Sequence, residues 1–581
     1  MTFGKNRVQY NSFYWQYFRY PKFDTYFNEY GKELALYTEW VANQEIERIE
    51  RLLDYTLEKR IIFLVYNKLS DFRQSNIGLV TGNVDYNTGG MTKIVKNKVF
   101  LYFEGDRKSY RKQISAGIAE VLLNEMLYGS GFGQNLTNQA VITLPDWYIK
   151  GLISYISEDW SIETENRVKD GILSGKYGNF NRLTGDDAMY AGHSFWRFIE
   201  KNYGGNLIPN IVYITRINKS AKSGFLYVLG SSIKQLTNEW LGYYNSIYQT
   251  DSQELNEEET PIIAKPKKTR VYQKMKLSPD GAYITFVTNE MGQYKIWLYN
   301  KSTKKLKRIY KREHKLDQIP DYTQPAIAWH PGSKILTFIT EEKGFLKLSF
   351  YNLETKELVQ RNLLYFDKVL DFAFSSDGSK LVLSAVKESL TDIYVHTLAS
   401  ATNEQVTKDL ADDLYPKFID NSARIIFSSN RTSDTLSLET EEVKELSPAY
   451  ALFVYNYATK SDVLSRITEN RYANHTYPVE ITKNRYVYLS DANGIYNRYM
   501  ADYDSVISYI DTTIHYRYFS KSYPITNSND NLMEHDVVPE MSDAGNIRLK
   551  KSRMYMFMEK LKPFQNLPLK LPDTEYRKRH E

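Results

Sequence analysis

One phrase recurs through the second half of this chain and restricts its fold more than any other feature: a tight turn, an apolar strand, a second turn and another strand. SPDGAYITFVTNEMGQYKIWLYN begins at Ser278, HPGSKILTFITEEKGFLKLSFYN at His330 and SSDGSKLVLSAVKESLTDIYVHT at Ser375. Divergent copies are IDNSARIIFSSNRTSDT at Ile419, whose outer strand is delayed to ALFVYNY at Ala451, and TKNRYVYLSDANGIYNRYMADYD at Thr482. MSDAGNIR at Met541 reads as the start of a further copy. A spacing of about 45 to 60 residues matches one four-stranded propeller blade per copy, with D-G or N-G turns closing the inner hairpins. An all-β propeller of about six blades is therefore expected over residues 271–545.

The first 250 residues carry no such repeat. FYWQYFRYPKFDTYFNE, residues 13–29, alternates in aromatics and is broken at Pro21, which predicts two short strands. Residues 32–59 place Leu34, Trp40, Val41, Ile46, Ile49 and Leu53 near a 3.6 period and predict a helix. IIFLVYN from Ile61 and KVFLYFEGD from Lys98 read as buried strands, and helices follow to about Tyr248. This order predicts an α+β domain over 1–250. Residues 251–270 then turn from acidic (DSQELNEEET) to basic and proline-bearing (PIIAKPKKTR), as expected of a charged linker. Residues 546–581 are basic and punctuated by proline; either they close the ring near Tyr272 or they form a docking tail.

Within the first domain the stretch from Lys112 to Leu152 stands out. QISAGIAEVLLNEM is followed by the Gly-rich run GSGFG and then by LPDWYIKGLISYI. With VLLNEMLYG (Val121 to Gly129), LPDW (Leu144 to Trp147) and HSFWRFI (His193 to Ile199), this outline resembles the peptidase-MA-like, zincin-type domain that precedes a TolB-like β-propeller in large Bacteroidota envelope proteins. In gluzincin peptidases the first helix carries H-E-x-x-H, two zinc-binding imidazoles with a general-base Glu, and the second adds a carboxylate in W-x-x-E-G. The matching positions here are Ala116, Gly117, Ile118, Ala119 and Glu120, and then Trp147, Tyr148, Ile149, Lys150 and Gly151. The resemblance implies a degenerate former metal site at Ala116, Gly117, Glu120 and Lys150, with Trp147 and His193 as neighbouring scaffold. The same resemblance implies no catalytic residues, no metal and no cofactor. A lysine ammonium can only donate and repels a cation.

His193 is the one histidine before the linker, so a His-His-carboxylate zinc site cannot be assembled in that half. Either Glu120 faces a cavity, with Lys150 as its partner across the lost metal position, or both are solvated. Glu125 remains on the same helix. Asp186 and Asp187 are expected to cap the helix bearing His193. GSGFG lacks the Lys-Ser/Thr of a phosphate loop and reads as a turn. In the repeats, Asp280, Asp377 and Asp543 are expected to hold turns, and calcium in the central channel is left open. The strand ends Ile296 to Tyr299 and Tyr496 to Tyr503 are either hairpin packing or exposed binding rims.

The absence of cysteine excludes thiolate metal sites and disulfides, and a formal charge of +5 over 581 residues gives no basis for nucleic-acid binding. No transmembrane segment is expected. The resulting expectation is a non-catalytic scaffold that binds other cell-envelope proteins, possessing a pseudo-peptidase domain and a propeller, mature without its signal peptide and periplasmic or outer-membrane-associated. The alternative is an active metallopeptidase or propeller hydrolase whose ligands this alignment does not find.

Overall fold

The computed structural model describes residues 12–74, 97–129, 142–251, 260–315, 319–436, 446–468, 472–510, 514–539, 543–561 and 570–579. The chain divides into two compact units, Met1–Ser252 and Gln253–Glu581.

In the first unit, β1 (Gln16–Arg19), β2 (Phe23–Phe27), β3 (Ile61–Tyr66) and β4 (Lys98–Tyr102) lie side by side in that order. β1 and β2 are antiparallel, and the other two pairings are parallel. Parallel neighbours require a crossover, and α1 (Lys32–Leu53) supplies it between β2 and β3. α1 ends short of residue 59 because Asp54 turns left-handed at φ 47° and its N–H closes on Glu50 O. α2 (Leu69–Gln74) follows β3. α3 (Arg107–Tyr128) starts at Asp106, whose carboxylate accepts from the Lys108 N–H. Then come α4 (Asp146–Ser157), α5 (Ile162–Leu173), α6 (Gly185–Tyr203), α7 (Ile208–Asn218), α8 (Ala221–Leu229) and α9 (Ile233–Asp251). Their shared core is aromatic: Trp147, Phe195, Trp196, Phe225 and Trp240 are wholly buried. At about 25 cal/mol per Å² of apolar surface, each such ring contributes several kcal/mol.

The second unit is a propeller of six antiparallel sheets among the described residues. Blade one comprises Val271–Leu277, Tyr283–Glu290, Gln293–Asn300 and Leu306–Arg312. Blade two comprises Ala326–Trp329, Ile335–Glu342, Phe345–Asn352 and Leu358–Leu363, and blade three Lys368–Phe374, Lys380–Lys387, Leu390–Thr397 and Thr402–Gln405. Blade four has Asp413–Ile419, Arg424–Ser429, Ala451–Asn456 and Ser465–Arg466. Blade five has His475–Thr482, Arg485–Ser490, Asn497–Ile510 and Ile514–Pro524, and blade six Leu532–Val538, Asp543–Lys550 and Arg553–Lys560. The middle strands are apolar on both faces because each blade packs on two neighbours. Val382 and Ile393 of blade three, for example, meet Ile425 and Phe427 of blade four.

The ring is closed by residues 546–560, the closing-strand alternative for the stretch after 545: that boundary falls inside the strand Asp543–Lys550, and Met554 and Met556 pack with Tyr272 of blade one. What completes blade six comes from the stretch read as linker: Pro261 bridges Phe557, and the Ile262 N–H donates to Met556 O at 2.8 Å. The chain ahead of blade one thus supplies the outermost segment of the last blade, which ties the two ends of the propeller together. Blade six also grips blade one directly, through Leu277 N to Asp536 Oδ2 at 2.8 Å and Lys301 Nζ to Asp543 Oδ2 at 2.5 Å. Asp543 therefore pairs with Lys301 of blade one and with Lys560 of its own blade, and does not act as a turn-holding residue. Asp280 and Asp377 do hold turns: each takes a hydroxyl proton from the Ser two residues before it and accepts from the backbone N–H two residues on. The last described stretch, residues 570–579, lies on blade five and is not the closing strand.

Candidate functional site

α3 presents the matched positions to the sheet and to the helices behind it. Ala116 is buried at 6% exposure. Gly117 lies against β4 so closely that a Cβ there would stand 2.4 Å from Val99 Cγ1. The space in which a general-base carboxylate would start is occupied by a valine side chain. A glycine inside a helix costs about 1 kcal/mol relative to alanine, and this close packing offsets that cost.

Glu120 is half-buried, and among the described residues it has no hydrogen-bonding or ionic partner. Burial alone pushes its carboxyl up to about 8. Of the two arrangements open to Glu120 and Lys150, the pair across the helices does not form. Lys150 Nζ donates instead to Asp146 Oδ2 at 2.6 Å, one turn back along α4. An i,i+4 partner is always within reach on a helix, whereas a partner on another helix must be delivered by packing. Glu125, farther along α3, is buried and accepts from the Glu58 N–H at 3.1 Å, so it holds the loop before β3. Most of GSGFG lies outside the described residues.

Trp147 anchors α4, wholly buried, with its indole N–H donating to Asn181 Oδ1 at 2.9 Å. His193 on α6 is 1% exposed and edge-on to Trp160 at 5.3 Å. Burial first, and then the charges of Lys112 and Arg197, push its imidazole down to about 3, so it is neutral. Its Nδ1 meets Ser154 Oγ at 3.0 Å, and Ser154 Oγ donates to Glu158 Oε1 at 2.8 Å. Glu158 Oε2 is paired with Lys112 Nζ at 2.7 Å. Ser154 has one proton and gives it to Glu158, so His193 Nδ1 must be the donor in its own bond. The chain Lys112–Glu158–Ser154–His193 links α3, α4 and α6. It is no nucleophile arrangement: the serine proton is directed to a carboxylate, away from the imidazole, and Ser154 is buried. Sequence reading gave His193 only as neighbouring scaffold and found neither Ser154 nor Glu158, which carry no motif.

These residues do not fit a zinc ion. Ala116 and Gly117 offer no donor atom, Lys150 is engaged with Asp146, and the one imidazole of this half is buried on Ser154. Asp186 and Asp187 lie in the first turn of α6, where they face the positive end of its dipole, while Thr184 takes the N-cap position; Asp187 pairs with Lys176 at 2.6 Å.

In the propeller, one carboxylate group among the described residues is close enough to share an ion: Asp392, Asp409 and Asp413. A cation already sits there. Arg431 Nη2 bonds both oxygens of Asp413, at 2.9 and 2.7 Å, and its Nη1 is 3.1 Å from Asp409. The arginine belongs to the S-N-R phrase of the fourth repeat, which sequence reading used only as a blade marker.

Five innermost strands carry a register shift: between Gln273 and Lys276, Val369 and Asp371, Leu414 and Lys417, Thr476 and Val479, and Leu532 and Glu534. Lys274, Tyr415 and Tyr477 take φ near +54° at these bulges (53°, 54° and 55°). The bulges turn side chains across blades. Tyr415 and Tyr477 stack at 3.9 Å, Lys274 Nζ donates to Leu370 O at 3.0 Å, and Lys276 and Lys417 meet Asp371 and Asp536 at 3.7 and 3.2 Å. Asp371 and Asp536 of the innermost strands are thus engaged with lysines. A signal for two of the bulges was present in the sequence, since Tyr-Pro recurs in the inner strands of blades four and five, and proline inside a sheet marks a bulge. Of the two aromatic strand ends, Ile296 and Leu298 are buried between blades, while Tyr503 stacks on the exposed Tyr518 at 5.7 Å.

No family model matches the chain, and no curated protein does. Among solved structures, a putative TolB from Agrobacterium tumefaciens is similar at 14% identity over 47% of this chain and 86% of that one, with a TM-score of 0.35. TolB from Acinetobacter baumannii is similar at 11% identity over 57% and 71%, with a TM-score of 0.30. The β-propeller domain of the Trilobed protease from Pyrococcus furiosus is similar at 14% identity over 51% and 82%, with a TM-score of 0.31. The propeller assignment rests on the strand pairing above.

Proposed function

We propose that this chain is a non-catalytic scaffold of the bacterial cell envelope, in which a peptidase-like domain without zinc chemistry is joined to a partner-binding propeller. One observation carries the reading: the general-base position is Gly117, and Val99 fills the space next to it. Around it, Glu120 and Lys150 do not meet, and His193 is held by Ser154. A zinc peptidase of this type needs a metal-bound water and a base within reach of it; this helix face supplies neither. The partners are other envelope proteins, bound through the propeller and through what remains of the groove, in the periplasm or at the outer membrane of a Bacteroidota-like bacterium. No helix among the described residues is long and apolar enough to cross a membrane.

The test is metal content and proteolysis of the purified full chain. Zinc well below stoichiometric, with no cleavage of an unfolded protein substrate, supports the scaffold. Stoichiometric zinc with cleavage overturns it in favour of a metallopeptidase using ligands elsewhere. Recovery of the same envelope proteins with the native chain and with an E120Q variant would place partner binding away from the groove.

A further inference from the structure

Residues 570–579 do not pair along a sheet edge; they sit on the turn between the second and third strands of blade five. Leu571 packs into the cluster between blades four and five that includes Leu452, Ile467 and Tyr499. Pro572 O accepts from Asn493 Nδ2 at 3.4 Å. The backbone N–H and the hydroxyl of Thr574 both donate to Asn493 O, each at 3.0 Å. Thr574 also caps the short helix α10 (Glu575–Lys578). Arg577, at 7% exposure, donates from Nη2 to Asp491 O at 2.7 Å and from Nη1 to Tyr472 O at 3.4 Å. Its charge is met by Asp491 Oδ1 at 3.8 Å.

The receiving surface is shaped for this. Gly494 has φ +94°, and a Cβ on it would stand 2.1 Å from Thr574 Oγ1. The seat therefore consists of a notch opened by a glycine, an apolar slot between two blades, and carbonyl oxygens of fixed backbone. The selective elements are in the occupant: an apolar residue, proline, a threonine and an arginine, all between Leu571 and Arg577. Arg577 Nη1 and Nη2 each bond a backbone carbonyl, although its buried Nε has no hydrogen-bond partner among the described residues, and a shorter side chain leaves those carbonyls unmatched, so the seat discriminates at that position.

We infer that this seat on blade five is a recognition site for a segment of the pattern Leu-Pro-x-Thr-x-x-Arg, held here by the chain's own copy, and that a partner protein carrying the pattern takes its place. The partner competes against a segment on the same chain, whose effective concentration is about millimolar. Displacement is thus reserved for partners that add contacts elsewhere or are locally abundant. The inference is independent of whether the first unit is catalytic.

The experiment uses the full chain and a fluorescent peptide of residues 570–579. Native chain, with its seat filled, binds the peptide weakly. A T574A/R577A chain, whose own segment is loosened, binds it at least about tenfold more tightly. A peptide carrying R577A does not bind that variant, and adding G494V to the variant abolishes binding of the unaltered peptide. Far-UV circular dichroism and the thermal midpoint establish that each variant is folded. In a second measurement that needs no variant, excess unlabelled peptide speeds amide exchange at Thr574 and Arg577 of the native chain. If the folded double variant binds no more tightly than the native chain, or if the R577A peptide binds as well as the unaltered one, the inference is overturned. Unchanged amide exchange in the native chain overturns the displacement step.

Discussion

Gly151 of α4 and Gly192 of α6 cross with almost no space between them: a Cβ on Gly151 would stand 2.4 Å from the Cα of Gly192, and one on Gly192 would stand 2.2 Å from Trp147 O. This contact sets how deep α4 lies against α6. It brings Ser154 to His193 and lets the Trp196 indole N–H donate to Tyr148 O at 3.1 Å. G192A is expected to destabilise the first unit by about 3 kcal/mol, at the upper end of overpacking costs, because backbone and not a side chain must move. Tryptophan fluorescence during thermal unfolding checks this, and a variant as stable as the native chain would mean that the crossing is looser.

The packing of Gly117 on Val99 makes a paired prediction. G117A alone lowers stability, although alanine is the better helix former, while G117A/V99A recovers most of the loss. If G117A is stabilising by itself, the valine does not fill the space beside Gly117. Restoring a glutamate at 117 likewise requires shortening residue 99 first.

Arg431 is the cation of a buried acidic group, so removing it leaves Asp413, itself at 0% exposure, without its charge partner. R431M is expected to cost about 3 to 5 kcal/mol, and R431M/D413L to regain much of it, because a buried pair replaced as a unit loses little. Urea denaturation of the three chains measures both steps. A mild R431M would show that the group tolerates an uncompensated carboxylate.

His193 is held neutral, its imidazole moved from 6.5 to about 3. As the pH falls from about 6.5 towards 3, the unfolded chain takes up a proton that the folded chain refuses, and stability drops across that window. His535 behaves in the same way, with burial the leading cause. H193Q is expected to be less stable than the native chain near neutrality but to lose less on acidification, so the gap between their thermal midpoints narrows by about pH 4. A gap constant with pH would mean that His193 titrates alike in the folded and unfolded chain.

Glu120 gives the opposite slope. Its carboxyl is raised from 4.5 to about 8, so the folded chain keeps a proton that the unfolded chain releases, and stability is lost as the pH rises through that interval. E120Q is expected to melt at the same temperature as the native chain near pH 4 and at a higher one near pH 9. Equal midpoints at both would indicate a solvated carboxylate.

Sequence alone determined whatever depends on local pattern. The alternation of apolar residues between D-G turns set the blades, and the 3.6 period set α1, because strand and helix register are read along the chain itself. The scarcity of imidazoles in the first 250 residues, where His193 is the one histidine, was equally legible, since a side chain that is absent cannot be supplied by folding. Tertiary structure decided what depends on residues far apart meeting. The segment at Pro261 closes blade six on Phe557, nearly the whole propeller away in sequence. Lys150 turns to Asp146 and not to Glu120, Arg431 settles among three aspartates, and Leu571, Thr574 and Arg577 find blade five. No local pattern encodes these pairings, because a charged or hydroxyl side chain looks the same in sequence whether it faces water or a partner. Only the packed backbone determines which partner is within hydrogen-bonding distance.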